Sequence, residues 1–65
     1  MAKDTAVTAA FVELAKKIRE QKGLTIDQLA DMAGVHRTTI GLLERHERTP
    51  TLQVASQIAK ALNLL

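Results

Sequence analysis

The sequence predicts an all-α chain of four helices, and three observations carry that expectation. Apolar residues recur at helical spacing in four separate windows, three of them closed by a residue suited to a helix end. Strand-like alternation is found nowhere along the chain. The apolar fraction, 46% of the residues, is dominated by Ala and Leu, with Phe11 the only aromatic. That mixture favours helix over sheet.

The first helix is expected to be capped by Asp4 or Thr5. Val7, Phe11, Leu14 and Ile18 then follow at intervals of four, three and four, which places one apolar stripe on it. Gly23 ends it. Thr25 with Gln28 three residues on has the form of a capping box and starts a second helix. Leu29, Ala30 and Ala33 are its inner face, and Gly34 supplies a left-handed terminus. A third helix runs from about Arg37 to Arg45, with Ile40 and Leu43 inward. Thr51 after Pro50 caps a fourth, striped by Leu52, Ala55, Ile58, Ala59 and Leu62, and Asn63 suits its left-handed end.

At 65 residues the chain is read as one domain, 1–65, without linker or repeat. It has no cysteine, hence no disulfide or thiolate metal site, which fits a reducing cytoplasm. No apolar run approaches the roughly 18 residues of a membrane span, so the chain reads as soluble and cytoplasmic. His36 and His46 lack a third ligand for zinc, and no metal or other cofactor is expected. Neither a hydroxyl–histidine–carboxylate set nor a phosphate loop nor paired acids is present, so no catalytic residues are assigned and no small-molecule substrate is evident.

Net charge is only +2, so position matters more than total. Arg37, Arg45 and Arg48 fall within twelve residues, with His36 and His46 among them. Lys16, Lys17, Arg19 and Lys22 cluster late in the first helix. Both groups suit phosphates, although basic residues near a helix C-terminus also complement its dipole.

Helix, glycine turn and helix between Leu24 and Pro50 is an arrangement that presents one helix to a DNA groove. In that arrangement Val35 and Ile40 point inward with Leu29 and Ala30, and Ala30 is small because the two helices cross closely. The third helix exposes His36, Arg37, Thr38, Gly41 and Leu42. Arg37 can pair with guanine O6 and N7 or reach a phosphate, and Thr38 can meet a base edge or a thymine methyl. Gly41 costs about 1 kcal/mol inside a helix relative to alanine, which a close groove floor or neighbouring backbone would explain. Leu42 suits either a thymine methyl or peripheral protein packing.

Arg19, Leu24, Leu29-Ala30, Gly34-Val35, Ile40, Leu43-Glu44, Pro50 and Ala59-Ala61-Leu62, taken as an ordered set, resemble the phage-repressor and Cro-like (Xre) family of helix-turn-helix regulators. The likeness covers about residues 14 to 64. It implies a lambda-repressor-like bundle of four to five helices and a sequence-specific DNA-binding regulator. By the same likeness the third helix enters the major groove of double-stranded DNA, and two copies pair as a homodimer on a palindromic operator. Carried over by position, Arg37, Thr38 and Leu42 are the base-reading residues. Arg45 meets phosphate after the helix, and His36, Gly41 and Arg48 complete the expected phosphate set. Arg19 and Glu44 match a buried ion pair between the first helix and the end of the third, as two opposite charges in apolar stripes would require.

Four positions depart from the family pattern. Ile26 stands in place of a glutamine that braces the recognition helix and touches phosphate. His36 replaces a serine or threonine N-cap, implying a less firm start to the third helix. His46 occupies a glycine position with left-handed backbone, and Glu47 replaces a basic residue in the phosphate turn. The family continues into a fifth helix that helps to form the dimer, and this sequence stops at Leu64-Leu65, as a trimmed fragment or a minimal regulator would. Val54, Ile58, Ala61, Leu64 and Leu65 form a second stripe expected to make the contact. A different class, an antitoxin-type or protein-interaction module built on the same bundle, draws its support from Leu42 and the low net charge.

Overall fold

The computed structural model describes residues 2–65, with side chains from residue 6 onward. Four helices form: α1 (Ala2–Gln21), α2 (Ile26–Ala33), α3 (Arg37–Glu44) and α4 (Leu52–Ala61), with no strand among the described residues. The Asp4 and Thr5 side chains lie outside the described set. The helix begins at Ala2, ahead of both.

Helix starts follow the local chemistry. The Thr25 hydroxyl accepts from the Gln28 amide at 3.0 Å, and the Gln28 side chain accepts from the Thr25 amide at 2.8 Å. Two of the orphan amides at the α2 entrance are thereby satisfied. The Thr51 hydroxyl accepts from the Val54 amide at the head of α4. His36 departs from expectation: its Nδ1 accepts from the Thr38 amide at 3.0 Å, so imidazole does the capping work assigned to a hydroxyl.

All four helices end in one way. A residue one or two places past each end has positive φ: Gly23 at 70°, Gly34 at 72°, His46 at 60° and Asn63 at 61°. In each case the next amide bonds back five residues, as from Leu24 to Arg19 and from Glu47 to Leu42. This double closure satisfies the last carbonyls. At His46 it costs a histidine the strain that glycine avoids.

The core is built around α2. Leu29, Ala30 and Ala33 meet Ile40 and Leu43 of α3, Ile58 with Leu62 from α4 and its C-cap, and Val12 with Ala15 of α1. Leu29, Ile40 and Leu62 are fully buried. Burying each such side chain contributes about 1.5–3 kcal/mol. Ala30 is buried where α2 packs on its neighbours, and a larger side chain there would force them apart.

The α1 stripe is corrected by the structure. Val7 and Leu14 are 68% and 50% exposed, whereas Val12 and Ala15 are buried and Phe11 and Ile18 pack against them. The buried face is rotated by about one residue, because α1 approaches α3 on its small-residue side. Leu52 is likewise no core residue, being 88% exposed at the head of α4. The stripe expected for pairing is largely spent inside: Ile58 is buried, and Val54 and Ala61 pack on the core. Only Leu64 and Leu65 of that set stay exposed.

Candidate nucleic-acid interface

Three residues, Gly34, Val35 and His36, join α2 to α3. Gly34 turns the chain, Val35 packs against the core and His36 caps the next helix. With Ile40 and Leu43 drawn inward, α3 presents Thr38 and Leu42 on its opposite side. Arg37 and Thr38 are exposed in its first turn, and Leu42 is half-buried.

Arg37 sits 3.7 Å from the carboxylate of Asp27, with both side chains about two-thirds exposed. They share the notch between α2 and α3 with Asp31 and His36. Contacts of this kind in water contribute little and release readily, so Arg37 is a loosely tethered cation. Sequence reasoning missed Asp27, although an acid in the first turn of α2 complements that helix's dipole.

Gly41 is buried, contrary to its expected exposure. A Cβ built on it would lie 3.3 Å from Nη1 of Arg45. The neighbour that crowds this position is the end of a side chain, not backbone. Arg45 is folded back over α3, and its Nε donates to Glu47 at 2.8 Å. Glu47 therefore acts on Arg45 directly, which the reading of its charge alone did not foresee. Arg48 is exposed beside His46 and Thr49, at a cleft against α1. The His46 ring bonds the Glu13 carboxylate, so the turn after α3 is tied to α1.

Behind this surface, Arg19 grips Glu44 with two bonds, Nε to Oε2 at 2.8 Å and Nη2 to Oε1 at 3.1 Å. Its Nη1 also donates to the Leu24 carbonyl at 2.7 Å. The two side chains are 11% and 10% exposed. The hydrogen bond that Arg19 donates to Glu44 is the largest influence on it and raises its pKa above the usual value, against the opposing effect of burial. One residue thus joins the end of α1, the α1–α2 turn and the end of α3.

Comparison with known proteins agrees with this geometry. A helix-turn-helix family model matches residues 16–64. The control protein C.SmaI of Serratia marcescens is 45% identical over 53 residues, which are 82% of this chain and 63% of that protein. The transcriptional regulator SutR of Escherichia coli K12 is 37% identical over 49 residues, 75% of this chain and 28% of its own. An HTH-type regulator of Methanothermobacter thermautotrophicus is 43% identical over 49 residues, 75% of this chain and 71% of its own. The chain thus spans under two thirds of the first two relatives. With α2 and α3 as its paired helices and the family match running through all four elements, this chain belongs to the Xre-type helix-turn-helix family.

Proposed function

We propose that this protein is a sequence-specific, double-stranded DNA-binding regulator of transcription. The observation that carries the reading is α3 itself: a capped helix, held from behind by the Arg19–Glu44 pair, with Arg37 and Thr38 exposed in its first turn. A major groove about 12 Å wide admits such a helix. The similarity to HTH-type transcriptional regulators supports it.

In this reading Arg37, Thr38 and Leu42 meet base edges. Arg37 exchanges its weak contact with Asp27 for guanine or an adjacent phosphate. Arg48 and His36 meet phosphates on either side of the groove. Arg45, expected beside Arg48, is held back on the helix by Glu47. One short helix reads only a few base pairs, so two copies bind together, on half-sites about one helical turn apart. Of the C-terminal stripe expected to make that pairing, Leu64 and Leu65 remain exposed.

A salt titration of binding to an enriched duplex tests the proposal. Affinity must fall steeply with salt, by about 0.9 in log–log slope per phosphate contact. Affinity that does not change with salt would exclude a DNA interface and favour a protein-interaction module.

A further inference from the structure

The geometry points to Arg45 as a fourth base-reading residue, selecting a guanine, with Glu47 as the residue that positions it and Gly41 as the gap that admits it. This rests on the DNA-binding reading above. By register, Arg45 lies four residues after Gly41 and seven after Thr38. It is therefore on the outward face of α3, opposite Ile40 and Leu43. Helical side chains lean toward the N-terminus, and here that lean carries the guanidinium back over Gly41, within 3.3 Å of where a Cβ would stand.

Glu47 holds it there. The left-handed turn at His46 returns the chain so that the Glu47 amide bonds the Leu42 carbonyl at 2.9 Å. From that position the carboxylate accepts from Nε of Arg45 at 2.8 Å. Among the described residues, neither Nη1 nor Nη2 has a hydrogen-bond partner. The remaining pair of parallel N–H groups is the edge that matches guanine O6 and N7. A phosphate can be met by a guanidinium from many directions, and a carboxylate alongside would oppose the contact. A base contact asks for a guanidinium fixed in one orientation, which the carboxylate supplies. Both side chains are more than half exposed, so the pair adds little to folding. Its effect belongs to recognition.

The test is binding-site selection, with affinities over a salt series, for the 65-residue chain and its Arg45→Lys, Arg45→Ala, Glu47→Gln and Gly41→Ala variants. Arg45→Lys keeps the charge and loses the fork. It should flatten the preference at one base pair of each half-site, by about five- to hundredfold, and leave the salt slope unchanged. Glu47→Gln should weaken the same position by less, and leave the positions read by Arg37 alone. Gly41→Ala should raise the melting temperature, since alanine favours helix, and still loosen that one position. A purely structural role for Gly41 would not move those two quantities in opposite directions.

An intact motif in Arg45→Lys, with a shallower salt slope in Arg45→Ala, would make Arg45 a phosphate contact and overturn the inference. Equal strengthening on selected and random duplexes by Glu47→Gln would do the same, reducing Glu47 to a repelling charge. If the unmodified chain yields no motif at all, the DNA-binding reading fails and this inference with it. A motif retained by the chain and unchanged in Arg45→Lys removes this inference alone.

Discussion

Arg37 and Arg48 carry the same charge in different settings, and their substitutions should separate. Arg37 is in the first turn of α3, beside the outward face, and tethered weakly to Asp27. Its replacement by alanine should relax the selected motif at one or two positions, at a cost of about 1–3 kcal/mol in discrimination. Arg48 lies in the turn after α3. Its replacement should weaken binding to all duplexes alike and make the salt slope shallower by about one. Selections and salt series on the two variants check both outcomes. An unchanged motif in Arg37→Ala would move that residue to the phosphate class. The exposed cations of this surface were legible from type and spacing. Their carboxylate partners were not, because Asp27 and Glu47 meet arginines only after a turn has folded the chain back on itself.

At the scale of the element, the end of α3 depends on what lies behind it. The Arg19–Glu44 pair is close to fully enclosed and makes three hydrogen bonds, counting the Leu24 carbonyl. Removing one partner strands a charge, at a cost of about 3–5 kcal/mol. A domain of this size has about that much stability in all. Glu44→Ala and Arg19→Met should therefore each lower the melting temperature by more than about 10 °C or prevent folding. A shift of a degree or two in both would contradict the assignment. The pKa of Arg19 is raised in the folded state, so its contribution is fully present below the ordinary arginine value and fades only as pH rises above it. Stability from this pair should be flat with respect to arginine titration across neutral pH.

The boundaries of α2 and the start of α4 were legible because capping is local: Thr25 with Gln28, Thr51 with Val54, and Gly34 each act within a few residues, whereas α1 starts at Ala2, ahead of the expected caps. The buried face of α1 was not. Val7-Phe11-Leu14-Ile18 and Phe11-Val12-Ala15-Ile18 both fit a helical stripe, and the choice is made by where α3 packs. Leu52 failed similarly: it stands exposed at the first position of α4, while Val54 two residues on packs on the core. Gly34 allows a cleaner test of element geometry. An added Cβ there meets nothing closer than Gln57 Nε2 at 3.8 Å, so only the positive φ opposes it. Gly34→Ala should cost about 1–2 kcal/mol, read as a melting shift. No shift would mean that the turn adopts another conformation.

The whole molecule has a radius of gyration of 10.8 Å and a long dimension of 32 Å. Helix α1 sets that length, since 20 residues of helix span about 30 Å. A domain this small offers DNA one short helix and a few cations, so specific binding calls for two copies. The selected site should accordingly be two-fold symmetric, and footprints should cover both half-sites. Protection of a single asymmetric half-site, with one protein per duplex, would remove the pairing. The sequence did not show which apolar residues remain for that contact, because Val54, Ile58 and Ala61 are taken into the core that α2 organises.

The claim on which everything else depends is that α3 reads DNA sequence, and binding-site selection on the unmodified 65-residue chain measures it most directly. An enriched two-fold motif is expected, bound with a salt-dependent affinity that Arg37→Ala and Thr38→Ala change at defined base pairs. Recovery of a random pool, or a motif that neither substitution alters, would contradict it.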